Sequence, residues 1–292
     1  MKRFSFSYFP GCSQRGSAEE FGLSTKAVCR ALGIELEELP DWNCCGASSA
    51  HMTNDLLAVT LPGRDLALAR QAGKDMLVVC VGCYSRMKVS QKRMLEDEAC
   101  ARKVESILGM NPRFTGKVRH LLDVMANDVG AQEIKPWLRA DLSGLKAAPY
   151  YGCLLARPLE FGCCDSVENP RDLDRLLEAI GVEARPWSFK TDCCGASLSL
   201  TRSDIVSKMV NKLFIRAQEA GANCIVTACP MCMANLETRQ QPAKFSFKVP
   251  HKMPVFYFTE LLGLAMGLDS DDWFKSHVIS PMRLLKELNL TA

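Results

Sequence analysis

The chain alternates short apolar segments with longer segments in which apolar residues recur every three or four positions. Residues 3–9 (RFSFSYF) and 34–39 (IELEEL) alternate, and residues 75–81 (DMLVVCV) are almost continuously apolar, so all three are predicted as strands. Helical spacing is found in residues 17–33, 54–73 and 83–98, although Pro62 and Gly63 predict a break in the second of these. This alternation of strands and helices is typical of a parallel sheet with helical crossovers.

The same order recurs later in the chain. Strands are predicted over residues 148–152, 183–189 and 224–228, and helices over residues 170–181 and 203–221. The apolar stretch 254–268 (PVFYFTELLGLAMGL) predicts a core helix, and the tail from 269 is expected to be peripheral. We therefore predict a first domain of residues 1–146 that includes a connector from about residue 100, a second domain of residues 147–268 and a C-terminal tail of residues 269–292.

Composition narrows the class of protein without defining it. The chain has 292 residues, of which 48% are hydrophobic and 24% charged, as expected of a globular protein with a sizeable core. A net charge of +3 does not favour a nucleic-acid partner. No apolar run reaches the ~20 residues of a membrane span, and no signal peptide is recognisable. A cytoplasmic location is expected.

The fifteen cysteines are the unusual feature of the composition. An odd number in a large chain without an export signal argues against a secreted disulfide framework and favours metal binding in a reducing compartment. Scattered cysteines behave as small apolar residues, which is the interpretation for Cys29, Cys100 and Cys224.

The remaining cysteines are largely arranged in a repeat. The sequence CCGAS occurs at residues 44–48 and again 149 positions later, and the same offset relates the CVGC motif at residues 80–83 to the CPMC motif at residues 229–232. Cys12 and Cys153 precede the two copies in similar contexts. The repeat indicates an internal duplication, in which every cysteine group follows a predicted strand. The predicted fold is α/β, with two Rossmann-like parallel-sheet halves and cysteine-rich loops at the carboxyl ends of the strands, where such sheets gather ligands.

Five thiols in each half exceed the four ligands of a tetrahedral zinc site, and no C-x2-C-x2-C run of a ferredoxin is present. Adjacent cysteines can serve as ligands when their side chains diverge onto different metal atoms of a polynuclear cluster. Gly46 and Gly195 would let the backbone turn sharply beside such a cluster. Thiolates favour iron–sulfur clusters and zinc over hard metals.

The pattern C-x31-CCG-x33-CxxC, followed by C-x39-CCG-x33-CxxC, resembles the tandem cysteine-rich CCG domain family. The segments YYGCLLARP and FYFTELLGLAMGL look like those of the B subunit of heterodisulfide reductase. The resemblance implies two noncubane [4Fe-4S] clusters that face a shared cleft, where a disulfide such as that of coenzyme M and coenzyme B is cleaved or formed. The implied ligands are Cys12, Cys44, Cys45, Cys80 and Cys83 in the first half, and Cys153, Cys193, Cys194, Cys229 and Cys232 in the second.

The same resemblance implies partners, because the chain has neither a ferredoxin motif nor a flavin motif. Electrons would come from a small ferredoxin-like subunit, itself supplied by a larger flavin-containing one. The alternatives are an electron-relay component of a lactate-, glycolate- or succinate-type oxidoreductase, a sulfur-oxidation relative of the reductase, and one cluster plus one zinc ion.

Four further features are weighed against ordinary structural roles. Arg15 and Arg157 follow the first cysteine of each motif and would suit an anionic substrate group, but solvated surface positions are the more expected role. His51 follows Cys45 by six residues and is a weak candidate proton donor. The pair Cys163–Cys164 lacks the following glycine and falls where the second half carries eight extra residues. It is expected in a loop, outside the ligand set.

Overall fold

The computed structural model describes residues 4–47, 49–158, 160–240 and 252–290. Two four-stranded sheets, each entirely parallel, form its centre. The first contains β1 (Phe4–Phe9), β2 (Ile34–Glu38), β3 (Met76–Val78) and β4 (Val118–His120). The second contains β5 (Lys146–Tyr150), β6 (Glu183–Ala184), β7 (Cys224–Thr227) and β8 (Val255–Tyr257). The predicted α/β fold with two similar parallel-sheet halves is confirmed.

Helices connect the strands of the first half and continue into the segment that follows it. They are α1 (Gly11–Gln14), α2 (Glu19–Ala31), α3 (Ala50–Thr53), α4 (Asp55–Ala72), α5 (Val81–Glu96), α6 (Glu98–Leu108), α7 (Leu121–Asp123), a π-helical turn (Val124–Val129), α8 (Gly130–Ile134) and a 3₁₀ turn (Lys135–Trp137). The connector predicted from about residue 100 therefore supplies a strand, β4, to the sheet of the first half.

The second half repeats this plan with shorter elements. Its helices are α9 (Cys153–Ala156), α10 (Asp172–Ala179), a 3₁₀ turn (Ala196–Leu198), α11 (Ser203–Glu219), α12 (Pro230–Thr238) and α13 (Phe258–Ala265), followed by a 3₁₀ turn (Trp273–Lys275) and α14 (Met282–Glu287). The strand predicted over residues 183–189 is reduced to β6; beyond it, Pro186 has no N–H, and the indole N–H of Trp187 donates to the carbonyl of Pro149 in β5 at 2.8 Å.

The strand order places the cysteine loops together. The sheets run β2-β1-β3-β4 and β6-β5-β7-β8, so consecutive connections leave the first strand of each half in opposite directions. In doubly wound sheets a crevice opens at the carboxyl ends of the strands at this point. Cys12 and Cys153 follow β1 and β5, and Cys80 and Cys229 follow β3 and β7. The loops after β2 and β6 carry the adjacent cysteines to the same edge.

In each half, the helix that follows the last strand packs against the other half. Helix α13, which follows the last strand of the second half, packs against α2 of the first, and α10 packs against α7 and the π-helical turn. The ring of Phe21 stacks on Tyr257 with centroids 4.1 Å apart, and the hydroxyls of Ser24 and Thr259 are 2.7 Å apart. A single apolar core therefore runs through both halves.

Three local predictions are wrong. Helix α4 continues through Pro62 without a break, because packing against α5 and α6 holds it in place. The stretch 254–268 is a strand followed by a helix, since its first apolar residues extend the second sheet. The tail from 269 is not peripheral, because Trp273 and Leu285 are buried in the common core.

No helix within the described ranges has the length and apolar character needed to cross a membrane.

Candidate metal centres

The structure arranges the five predicted ligands of each half in the same way. Cys12 and Cys44 are exposed, with their sulfurs 4.0 Å apart, whereas Cys45 and Cys83 are buried, with sulfurs 3.1 Å apart. Cys80 is buried at the start of α5, beside Cys83. The first half thus has an accessible pair and a buried group of three.

The second half repeats the arrangement thiol by thiol. The half-buried sulfurs of Cys153 and Cys193 are 3.8 Å apart, and the buried sulfurs of Cys194 and Cys232 are 3.5 Å apart. Cys229 is buried at the start of α12, as Cys80 is at the start of α5. The duplication seen in the sequence therefore extends to the division of each group into a more accessible pair and three buried thiols.

Glycines allow the backbone to lie against these thiols. Gly46 and Gly195 have φ values of +70° and +81°, and their N–H groups lie 3.5 and 3.2 Å from the sulfurs of Cys44 and Cys193. This agrees with the sharp turn predicted after each adjacent pair. A Cβ at Gly152, also at positive φ, would lie 3.0 Å from the sulfur of Cys232. At Gly11 it would lie 3.3 Å from that of Cys83.

The two thiol groups meet at the boundary between the halves. Gly82 and Met231 occupy equivalent positions inside the two CxxC motifs, and a Cβ at Gly82 would lie 3.2 Å from the sulfur of Met231. The middle of one CxxC loop therefore touches the middle of the other. The two groups of five cysteines are neighbours.

A hydrogen bond between two neighbouring thiols lowers the pKa of one, Cys45 or Cys193, and raises that of the other, Cys44 or Cys153. The hydrogen bond from Cys44 lowers the pKa of Cys45 to about 5, and that from Cys153 lowers the pKa of Cys193 to about 6. By contrast, burial raises the pKa of Cys29, outside both groups, to about 12. Only the thiolate is a good metal ligand, so each group contains a thiol that ionises far more readily than Cys29, beside others whose pKa is raised.

The donor set of each group suits an iron–sulfur cluster. All five predicted ligands are thiols, three of them shielded from water, and a backbone without side chains closes over them at Gly11 and Gly152. Within the described residues, no three Cys, His, Asp or Glu side chains converge as the ligands of one metal ion.

The weaker candidates lie apart from these groups or are engaged elsewhere. His51 is exposed on α3. Arg15 pairs with Glu38, and Arg157 donates to Glu168 at 3.1 Å; both arginines are largely exposed. Cys163 and Cys164 are half-buried in an irregular segment between α9 and α10, which has no equivalent between α1 and α2.

Sequence reasoning missed two polar groups that support the second site. Lys190 forms a buried ion pair with Asp174 at 2.7 Å, and the Tyr151 hydroxyl donates to the same carboxylate. On α12, the Asn235 amide contacts Cys194. Asn235 follows Cys232 by three residues, so helical spacing alone indicated that it would share a face with that ligand.

A third polar group links the tail to the second half. The buried ring of His277 lies between Glu237, at 3.1 Å, and Glu260, at 2.9 Å. Burial opposes the charged imidazolium, but the two carboxylates outweigh it and raise the pKa of His277 to about 10. No pattern in the sequence indicates this group, because its members are far apart in the chain.

Fold and site together define a duplicated α/β protein that gathers five thiols at the carboxyl edge of each parallel sheet. The family model described as "CCG: Cysteine-rich domain" matches residues 6–88 and again residues 147–237. The chain belongs to this family.

Relatives of similar length extend the comparison. The chain is 31% identical to the 8-methylmenaquinol:fumarate reductase membrane anchor subunit of Wolinella succinogenes, over 93% of this chain and 95% of that one. It is 29% identical to the B subunit of the ferredoxin/F420H2-dependent CoB-CoM heterodisulfide reductase of Methanosarcina acetivorans, over 91% and 90% of the two chains. It is 30% identical to a protein of Archaeoglobus profundus described as like the B subunit of heterodisulfide reductase, over 91% and 92%.

Among solved structures, the crystal structure of a hypothetical protein from Helicobacter pylori is similar, with a TM-score of 0.72. The match covers 95% of this chain and 52% of that chain, at 11% sequence identity. At this identity the likeness supports the fold alone.

Proposed function

We propose that this chain is the iron–sulfur subunit of a heterodisulfide reductase-type oxidoreductase complex. The ten grouped cysteines would hold two noncubane [4Fe-4S] clusters, five thiols to each. The observation that carries the proposal is the repetition of one thiol arrangement in two halves whose CxxC loops touch at Gly82 and Met231. The similarity to the B subunit of heterodisulfide reductase over nine-tenths of the chain supports the same conclusion.

Five thiols in each group favour clusters over the zinc alternative, since a structural zinc site uses four ligands. Iron–sulfur clusters supply one-electron chemistry, and thiolates are their usual protein ligands. The chain's own residues would shield each site with the three buried cysteines. The more accessible pairs, Cys12 with Cys44 and Cys153 with Cys193, would face the substrate.

The proposed substrate is a disulfide bound between the two sites. Reduction of R–S–S–R′ consumes two electrons and two protons, breaks one sulfur–sulfur bond and releases two thiols. Two adjacent one-electron sites match this requirement. The electrons would come from two partners in the complex, a small ferredoxin-like subunit and a flavin-containing one. A cytoplasmic location belongs to the same proposal.

A second candidate function is electron relay without disulfide chemistry. It is favoured by the relative from Wolinella succinogenes, whose name is that of a menaquinol:fumarate reductase subunit. In such a complex the two sites would pass single electrons between other subunits. The identities of the two kinds of relative, 31% and 29%, do not separate the candidates.

Metal analysis of anaerobically purified protein tests the cofactor part of the proposal. Two [4Fe-4S] clusters predict about eight iron and eight sulfide per chain with no zinc. About four iron together with one zinc would support the mixed alternative and contradict the two-cluster proposal.

Electron paramagnetic resonance separates disulfide reduction from electron relay. Adding a disulfide to the reduced holoprotein is expected to change the cluster signals and to produce thiol, whereas the matching thioether, which cannot be cleaved, should change neither. If no member of a panel of alkyl, sulfonated and phosphorylated disulfides alters the signals, the reductase proposal fails and the relay candidate stands.

A further inference from the structure

The two sites differ at one buried amide. Asn235, on α12, is buried, and its amide nitrogen lies 3.1 Å from the carbonyl oxygen of Cys194 and 3.8 Å from the sulfur of the same residue. The sulfur of Cys194 is also 3.5 Å from that of Cys232, which precedes Asn235 by one helical turn. The amide therefore connects α12 to the loop that carries the adjacent cysteines.

The orientation of this amide is determined by its neighbours. A carbonyl oxygen can only accept a hydrogen bond, so the group of Asn235 that faces the Cys194 carbonyl must be the NH₂. On the other side, the amide oxygen contacts the hydroxyl of Ser199, whose own carbonyl accepts a hydrogen bond from Arg239 at 2.9 Å. Asn235 thus presents N–H groups, and not its oxygen, to the sulfur of Cys194.

The first half has different residues at these positions. The offset of 149 that relates the adjacent cysteines places Arg86 opposite Asn235 and Ala50 opposite Ser199. Alanine has no hydroxyl to orient a neighbour. Within the residues the structure describes, the sulfur of Cys45 contacts that of Cys83 and receives no side-chain amide. The loop hydrogen bonds at Gly46 and Gly195, in contrast, are common to both halves.

We propose that Asn235 is a positioning residue that gives the second cysteine site a higher reduction potential than the first. An N–H directed at a ligating sulfur draws off negative charge and stabilises the reduced state, and such hydrogen bonds are among the main determinants of cluster potential. This inference rests on the proposed function, in which both sites hold clusters. It makes the two halves unequal: an electron entering the protein resides first at the second site.

The test is a redox titration of the anaerobic holoprotein, followed by electron paramagnetic resonance. Wild-type protein is expected to show two transitions. In Asn235→Leu, the transition at higher potential should move down by about 59 mV, which corresponds to a tenfold change in the ratio of oxidised to reduced sites for one electron. The other transition should not move. Asn235→Gln, which keeps the amide, should show a smaller downward shift than Asn235→Leu.

Asn223→Leu is the matched control. The amide of Asn223 also donates to a backbone carbonyl, that of Gly144 at 3.1 Å, but at the opposite end of the sheet. It should move neither transition, although it loses a similar hydrogen bond. Ser199→Ala keeps the amide and loosens its orientation, so it should produce a smaller shift of the same transition.

Failure of the proposed function and failure of this inference give different results. Wild-type protein without iron overturns the proposed function, and this inference with it. Full iron in Asn235→Leu with unmoved potentials, or with both transitions moved equally, overturns only the inference. Loss of iron from both Asn235→Leu and Ser199→Ala would assign Asn235 a structural role and also overturn it.

Discussion

The first and second halves place their thiols alike but secure the surrounding loops by different contacts. In the first half, the N–H of Asn43 donates to Asp65 of α4 at 2.9 Å, and burial raises the pKa of Asp65 to about 8. The equivalent positions in the second half are Asp192 and Phe214. There the Tyr150 hydroxyl donates to the carbonyl of Asp192 at 2.6 Å.

This difference indicates which parts of a duplicated site are constrained. In the proposed function the sulfurs repeat because each group binds one cluster, and the glycines beside them repeat because they leave space for it. The supporting contacts have only to hold a loop, and many pairs of residues can do so. The residues behind the thiols can therefore differ between the halves and adjust each site separately.

The largest effect, a loss of bound iron, is expected when one buried thiol is removed from each half in turn. Cys83→Ser and Cys232→Ser should each lose about four iron atoms per chain, since each cluster depends on its own half. Iron and sulfide analysis measures the loss. Cys100→Ser, which alters a buried cysteine outside both groups, should keep the full complement. Loss of all iron from either variant would show that the two sites are not independent.

A large effect is also expected from the buried ion pair of the second half. Lys190→Met removes the nearest cation from the buried carboxylate of Asp174 and leaves it the Tyr151 hydroxyl and the guanidinium of Arg171, 3.8 Å away. Breaking a buried pair in this way typically costs about 3–5 kcal/mol of unfolding free energy. Chemical denaturation measures the change. Lys212→Met, which removes a mostly exposed partner of Asp192, should cost less than about 1 kcal/mol. Equal costs would mean that the buried network does not hold the second half together.

His120 and His277, both buried, should give the protein opposite sensitivities to pH. Burial lowers the pKa of His120, at the end of β4, to about 4, so its contribution is present above about pH 6.5 and is lost as the pH falls towards 4. The pKa of His277 is raised to about 10, so its contribution is present below about pH 6.5 and is lost as the pH rises towards 10. The contribution is on the order of 3 kcal/mol for His120 and on the order of 5 kcal/mol for His277.

The free energy of unfolding, measured from about pH 4 to about pH 10, should show an acid limb due to His120 and an alkaline limb due to His277. His277→Gln should flatten the alkaline limb and leave the acid limb, whereas His120→Gln should do the reverse. A His277→Gln protein that still loses stability between pH 8 and 10 as steeply as the wild type would contradict the assignment.

The smallest effects are expected at the glycines that precede the first cysteine of each half. Gly152→Ala should destabilise the protein somewhat more than Gly11→Ala, because the added Cβ lies 3.0 Å from a sulfur rather than 3.3 Å. Both changes also force alanine to positive φ, at a cost of roughly 1–2 kcal/mol. Gly109→Ala is the control, with a φ of +64° and nothing within 4 Å of the new Cβ, so it reports the backbone cost alone. Thermal unfolding ranks the three.

The sequence predicted the parts of the molecule that repeat. Cysteines at one fixed offset, each following an apolar segment, were sufficient to place both groups at the carboxyl edges of two parallel sheets. Strand β4 was not predicted because Arg119 and His120 interrupt its apolar character, and β8 was assigned to a helix because its apolar residues continue directly into α13. The burial of the tail and the contacts of His277 were not predicted, because they join residues that are distant in the chain.

The packing of α13 against α2, and of α7 and the π-helical turn against α10, has a consequence for the origin of the chain. Each half covers the other with the helix that follows its last strand, so a single half would leave an apolar face of α2 or α10 in water. A second copy, related by a two-fold axis through the contact of Gly82 with Met231, would cover both faces at once. The present chain has the form of such a symmetric dimer joined into one polypeptide. Within one polypeptide the two halves can differ, and the second half has residues, such as Asn235 and Lys190, that the first half lacks at the equivalent positions.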